Sequence, residues 1–299
     1  MLGLWVILFA PPTTFPAYNL VTIKNGGSVA EVAKDLAEAR IIKWPLIFRL
    51  TLAFRPGESL VVAGDYYFER PINVWRVAWR VARGEYNLTS VKVTLPEGTA
   101  VKEMAGIFSA ILPNFDQTAF VTEGLPLEGQ LFPDTYFFQP TVRSTEIIKR
   151  LHANFQDKIK SLEPIIARSG RTLEQIIIMA SLIEKEARTD EARRTIAGIL
   201  WKRLDEGMPL QVDAVFPYII GKNTFELSRQ DLATSSPYNT YRFRGLPIGP
   251  ITNPGLEAIT AVLNPAPNDY WYYLSDQSGR LHYAVDFDAH RANKVKYLP

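Results

Sequence analysis

The sequence contains no cysteine. That removes disulfide frameworks, thiolate nucleophiles and Cys-ligated zinc from consideration, and it suits a bacterial protein working outside the cytoplasm. Neither sign of charge is in excess, since 33 Lys and Arg stand against 31 Asp and Glu for a formal charge of +2. The electrostatic footprint of a nucleic-acid binder is therefore missing, and nucleic acid is not an expected partner. Histidine is scarce. His152, His282 and His290 are scattered and no HExxH stretch occurs, so neither a metal site nor a cofactor is expected. The N-terminal apolar run, residues 2–10 (LGLWVILFA), is stopped by Pro11 and Pro12, about half the roughly 20 residues that a membrane-spanning helix needs. It reads either as a hydrophobic leader or as the tail of an anchor or signal segment, and residues 1–17 are set apart on that account.

What is present is enough apolar material for a sizeable core: 47% of 299 residues, sufficient for two compact domains or one large one. An internal echo runs through the first third. Residues 21–33 (VTIKNGGSVAEVA) align with residues 93–105 (VTLPEGTAVKEMA), with Leu36 opposite Phe108. Each copy reads as strand, glycine turn and helix, which suggests a duplicated βα module, the alternative being a chance similarity of two βα starts. Between them lie a strand-like aromatic stretch, residues 61–68 (VVAGDYYF), and an amphipathic stretch around Trp75, Val77, Ala78 and Val81. No Gly/Ser-rich linker separates these pieces. Residues 127–138 (LEGQLFPDTYFF) then combine large aromatics with Gly129, Pro133 and Asp134, a packed loop entering a strand at Thr135. Within it Glu128 and Asp134 are either packing residues or part of a substrate groove.

From about Ser144 the apolar spacing becomes helical, with Ile147, Ile148, Leu151 and Phe155. Thr172 followed by Gln175 forms a capping box ahead of the apolar run that starts at Ile176. The helix begun there ends in MASLIEKEAR, residues 179–188. Glu186 falls seven residues after Met179, four after Leu182 and three after Ile183, while Glu184 stacks above Ala180 and Ile177. An acid with apolar neighbours has its charged form disfavoured and can hold a proton near neutral pH, which is what a general acid requires. The alternative is a solvated helix end, and the spacing does not choose between the two acids. Arg188, Arg193 and Arg194 suggest that the helix continues.

Beyond it come residues 210–213 (LQVD), 236–241 (SPYNTY), 245–255 (GLPIGPITNPG) and 270–274 (YWYYL), followed by the Gly279 turn and His282. Gln211 and Asp213 alternate by two, so on a strand they point to one side. Tyr238 and Tyr241 offer flat faces for rings, and Asn239 and Thr240 offer hydrogen bonds either to a ligand or to a turn. The glycines and prolines of GLPIGPITNPG suit a rigid groove wall.

These blocks, together with LEGQLFPDTYFF and MASLIEKEAR and in this order, resemble the YceG-like family of endolytic murein transglycosylases over essentially the whole chain beyond residue 18. The resemblance implies an α+β protein. A LysM-like subdomain, residues 18–90, would contain part of the repeat, and a catalytic domain, residues 91–299, would mix helices and strands around a lysozyme-like catalytic helix. It also implies a lyase that cuts the β-1,4 bond between N-acetylmuramic acid and N-acetylglucosamine inside nascent glycan strands, leaves 1,6-anhydro ends and so limits strand length. The family's single catalytic glutamate lies in the Glu184-Lys185-Glu186 block. Glu186 is the choice, because the small Ala187 behind it resembles the Glu-Ser/Thr pair of lysozyme-like transglycosylases, and Glu184 is the reserve. Gln211, Asp213, Tyr238, Asn239, Thr240 and Glu128 are the expected substrate-binding residues. Peptidoglycan strands are the expected partner, with peptidoglycan synthases as neighbours. The expected location is the bacterial inner membrane, held by one N-terminal helix, with the catalytic domain outside the cytoplasm. Where the family commonly has Pro-Thr after the LQ-D block, this chain has Ala214-Val215. A non-catalytic glycan-binding scaffold of the wall-synthesis machinery is the alternative from a different class, and a glycan hydrolase is a third.

Overall fold

The computed structural model describes residues 9–53, 61–113 and 115–298. Most of the N-terminal apolar run, residues 2–8, thus lies outside the described residues. Among the described residues, no helix is long and apolar enough to cross a membrane. The protein is α+β, with short two-stranded sheets among helices, and it divides into two compact units.

The first unit is Met1–Val91 with Gln139–Thr141. Strand β1 (Asn19–Ile23) pairs antiparallel with β2 (Gly64–Phe68), Asn19 opposite Phe68 and Ile23 opposite Gly64. Helices α1 (Val29–Glu38) and α2 (Pro45–Ala53) intervene in sequence, and α3 (Val74–Arg83) follows. Alternation puts Val21 and Ile23 of β1 into a core with Leu36, Phe48, Leu52, Tyr66, Phe68, Val77 and Val81. Arg80, buried in this unit, donates to the carbonyls of Tyr67, Glu85 and Tyr86.

The second unit is Lys92–Phe138 with Val142–Pro299. It opens with β3 (Val91–Thr94) and α4 (Val101–Ile111), then α5 (Gln117–Gly124) and β4 (Thr135–Phe138), which pairs with β3. Helices α6 (Ser144–Lys160), α7 (Glu163–Ser169), α8 (Leu173–Glu186) and α9 (Asp190–Asp205) follow. Two short helices, α10 (Val215–Ile220) and α11 (Arg229–Leu232), precede α12 (Leu256–Leu263). A hairpin of β5 (Tyr272–Ser275) and β6 (Leu281–Ala284) leads to α13 (Phe287–Tyr297).

The expected repeat folds as strand, turn and helix in both copies, yet the copies fall in different units. Each turn has a glycine at positive φ, Gly26 at 80° and Gly98 at 72°. In the first copy Ser28 and Glu31 cap α1 reciprocally. The second copy keeps only half of that box, because Ala100 has no side-chain acceptor although its N–H donates to Glu103 (2.8 Å). Glu128, from 27 residues away, adds an acceptor of a different kind, taking the N–H of Val101 at 3.1 Å.

The centre of the second unit is α8, buried at every position from Ile176 to Ile183. A helix apolar all round belongs in the middle of a bundle, and α9 and α12 cover it with Ile196, Leu200, Ile259 and Val262. The one polar residue in that run, Ser181, donates to Ile178 O (2.7 Å) and accepts the N–H of Ile251 (3.1 Å), tying α8 to the segment 245–255. Replacing Ser181 with Ala leaves that buried N–H without an acceptor and should lower the unfolding free energy by about 1–3 kcal/mol. Urea denaturation checks this, and no change in midpoint would show that the tie is dispensable.

Candidate active site

Helix α8 starts as its sequence dictates. Thr172 accepts the N–H of Gln175 (3.2 Å) and Gln175 accepts that of Thr172 (3.0 Å). Its end differs from the expectation of a continuous helix. Ala187 is extended (φ −141°, ψ 140°), and α9 begins afresh behind the N-cap Thr189. Glu186 is therefore the last residue of α8, and Arg193 lies on a second helix free to turn back toward the first.

Two residues apart on a helix means about 200° of rotation, so the two acids face different surroundings. Glu184, its side chain 5% exposed, accepts Arg193 Nη2 at 2.9 Å and the N–H of Gly255 at 2.8 Å. Arg193 is itself buried, donates to Ala187 O and also pairs with the exposed Glu257. All the donors that Glu184 needs are supplied by the protein.

Glu186 has no ion pair among the described residues. Its carboxyl is crowded by Asp213, Tyr273 and the N–H of Ala214. Burial, and then the charge of Asp213, push it up to about 7, while hydrogen bonds from the Tyr273 hydroxyl and Ala214 N–H pull the other way. Tyr273 is correspondingly raised well above the usual tyrosine range by burial and by Glu186. Asp213 is also raised, by burial, against the Tyr241 hydroxyl that donates to its Oδ1 and the charge of Lys294. Two carboxyls, each with a tyrosine hydroxyl on it, thus share one corner of the second unit.

Gln211 and Asp213 do not lie on a strand. The segment is irregular, with Gln211 at φ 51°, and its shape comes from bonds to Thr240: Gln211 N donates to Thr240 O (3.2 Å) and Val212 N to Thr240 Oγ1 (2.9 Å). The alternation survives without a ladder, since Gln211 and Asp213, taken as whole residues, are exposed on either side of the buried Val212, although neighbouring groups desolvate the Asp213 carboxyl itself. Thr240 and Asn239 are both buried, and their polar atoms are engaged by the chain. Asn239 Nδ2 reaches Leu232 O and Thr234 O while its Oδ1 takes the N–H of Tyr241. They shape the loop from within. Tyr238 is half-buried and packs on Tyr218, ring centroids 5.0 Å apart.

Glu128, 6% exposed, sits where three segments meet. It holds Val101 N and accepts Asn253 Nδ2 (2.7 Å), while Asn253 also donates to Thr99 O and takes the N–H of Leu131 (2.9 Å). Burial raises it to about 7 despite these donors. Backbone approach is close here. A Cβ on Gly129 (φ 84°) would lie 2.6 Å from Pro250 Cγ and 2.7 Å from Ile177 Cγ2, so only glycine fits. Among the described residues no group of three or more His, Asp or Glu is placed to hold a metal ion. Two concavities, one of about 400 Å³ between α9 and residues 265–268 and one of about 380 Å³ beside Ser235, Phe243 and Ile248, are not lined by Glu186.

Tyr273, the Ala214 N–H and Arg193 had no role assigned from sequence. The YWYYL block marked the first, but nothing in its pattern told which tyrosine turns inward.

Comparison with known proteins places these observations. The YceG-like family model matches residues 21–296. The endolytic murein transglycosylase of Bacillus subtilis (strain 168) is 27% identical over 305 residues, covering 93% of this chain and 84% of that protein. The protein of the same name from Streptococcus pneumoniae serotype 2 is 27% identical over 323 residues, covering 94% of this chain and 58% of that one. Among solved structures, the YceG-like protein lmo1499 of Listeria monocytogenes superposes with a TM-score of 0.62 at 25% identity, over 92% of this chain and 98% of that one.

The two acids should differ in stability as well as in surroundings. Glu184→Gln breaks a buried pair and is expected to cost about 3 kcal/mol at neutral pH. For Glu186 the sign is opposite. Its folded-state value, about 7, lies above the ordinary 4.5, so its contribution is intact below pH 4.5 and is lost as pH rises through 7. Glu186→Gln should therefore match the wild type at acid pH and exceed it by about 3 kcal/mol above pH 7. Urea melts of both variants across this range test the contrast.

Proposed function

The chain belongs to the YceG-like family, and on that premise we propose that it cleaves peptidoglycan glycan strands internally as a lytic transglycosylase, with Glu186 as its one acid and base. The observation that carries the assignment is the contrast within one helical turn. Glu184 is ion-paired to a buried arginine, whereas Glu186 is desolvated and has no ion-pair partner among the described residues. A carboxyl whose proton leaves near pH 7 is suited to give it to a leaving oxygen and to take another back.

On this reading Glu186 protonates the oxygen between N-acetylmuramic acid and N-acetylglucosamine. The bond from C1 breaks with oxocarbenium character, and the Glu186 carboxylate then removes the proton of the C6 hydroxyl as that oxygen closes on C1. A 1,6-anhydro end results and no water is consumed. The attack is intramolecular, so a high effective molarity assists it, and a second carboxylate as nucleophile, which most retaining glycosidases need, is not required. Tyr273 and Ala214 N–H steady the carboxylate between the two proton transfers. Asp213 raises the proton affinity of Glu186 and supplies negative charge near the developing cation. Gln211, exposed beside it, and the half-buried Tyr238 are the residues offered to the sugars, while Asn239 and Thr240 act by holding the loop. Glu128 acts as the tie that joins α4 to residues 251–255.

We assign the first unit, with two helices between its paired strands, as the LysM-like subdomain, and the second as the catalytic domain. The substrate lies outside the cytoplasmic membrane, so the catalytic domain belongs there, with the N-terminal apolar run as its attachment to the inner membrane and peptidoglycan synthases as neighbours. The test is digestion of uncrosslinked glycan strands with mass spectrometry of the products. Internal cuts with 1,6-anhydro ends are expected from the wild type, with a drop of about a thousandfold or more for Glu186→Gln. Strands bound but uncut would indicate a scaffold, and reducing ends a hydrolase. Because Glu186 must begin protonated, the rate should fall as pH rises through about 7, as a pH profile of kcat would show.

A further inference from the structure

Arg203, on α9, is 4% exposed and has no carboxylate partner among the described residues. Its Nε donates to the carbonyl of Trp271 at 2.7 Å and its Nη1 to that of Leu210 at 2.8 Å, and the guanidinium lies over the Tyr272 ring, 5.0 Å from its centroid. A buried cation without a counter-ion is costly. Arg80 in the first unit is bound to main-chain carbonyls in the same manner, so such a clamp by itself means only local structure. The difference lies in which carbonyls Arg203 takes.

Leu210 directly precedes Gln211, at its positive φ, and the run that carries Asp213 and Ala214. Trp271 lies two residues before Tyr273. Those two segments bring to Glu186 all the groups that raise or lower its proton affinity: the Asp213 carboxyl, the Ala214 N–H and the Tyr273 hydroxyl. Other charged or titratable groups border the corner. Tyr241 is on Asp213, Lys294 of α13 faces Asp213, and His290 of α13 stacks on Tyr272 at 5.1 Å. His290 is shifted down by burial and by the charges of Lys294 and Arg203, which favours its neutral form. A guanidinium presents its donors in a fixed planar fork, so two carbonyls on it are held at one separation; an ammonium on a flexible stem sets no such distance.

We propose that Arg203 is a positioning residue for the reaction, its guanidinium setting the separation of the 210–214 segment from the β5 strand and so the placing of Asp213 and Tyr273 about Glu186. This rests on Glu186 being the acid, and the experiment separates the two claims. Wild type, Arg203→Lys, Tyr273→Phe and the double variant are assayed on uncrosslinked strands, with folding followed by thermal melting. Arg203→Lys keeps the charge, and Tyr273→Phe removes a single oxygen.

The expected result is a fall in kcat of about tenfold to a hundredfold for Arg203→Lys, with KM within about threefold and the high-pH limb of the kcat profile displaced. Tyr273→Phe should cost less in the Arg203→Lys background than in the wild type, since the two act on one arrangement. Full activity of Arg203→Lys, a change confined to KM, a loss that follows only the unfolded fraction, or additive effects in the double variant would each overturn the proposal while leaving Glu186 in place. Should Arg203→Lys fail to fold, Tyr273→Phe alone decides: an unchanged pH profile removes the link from the β5 strand to Glu186 on which the role depends. No anhydro products from the wild type would instead sink the underlying reading.

Discussion

The buried guanidinium of Arg193 and the carboxylate of Glu184 form the contact on which the site depends. Neither could remain in that interior alone, because an unpaired charge there costs several kcal/mol. Their union requires α9 to fold back on α8, and the chain can do so only because the helix stops at Glu186 and Ala187 is extended. Glu186, about 200° round the same helix from Glu184, lies on a different side. One acid is paired with a cation, while the next, two residues on, has only the neutral donors of Tyr273 and Ala214 N–H in a place where burial pushes it up to about 7.

Around that helix end the architecture is a set of loops held by side chains instead of by a large sheet. Thr240 shapes the segment of Gln211 and Asp213, Asn239 closes its own loop, and Asn253 with Glu128 gathers residues 99, 101, 131 and 253 at one point. The paired strands of this unit lie in two separate hairpin-sized sheets. A polar residue in such a place is held by several main-chain groups at once, which is how irregular backbone can be buried without unsatisfied donors.

Much of this was legible in the sequence because the signals are local. The capping box at Thr172, the apolar run behind it and the strand-turn-helix of both repeat copies are short-range patterns, and all are found in the structure. The choice between Glu184 and Glu186 was not legible from spacing. It depends on Arg193 and Asp213, brought in by separate elements, and no helical periodicity contains them. Gln211 and Asp213 would point to one side if they lay on a strand; they do both fall on the exposed side of the chain, but Thr240, not a neighbouring strand, takes the backbone bonds. Asn239 and Thr240 carry the same chemistry whether they meet a ligand or the loop itself, so residue type could not reveal that both are buried.

The cap that Glu128 lends to α4 has a further consequence for the two repeat copies. The first copy carries all that its helix requires within a dozen residues and is in that sense portable. Its counterpart relies in part on a long-range tether: excised from the chain, it would keep the bond of Ala100 N–H to Glu103 but lose the acceptor on Val101 N–H. The second copy is thereby tied to the loop that leads to β4.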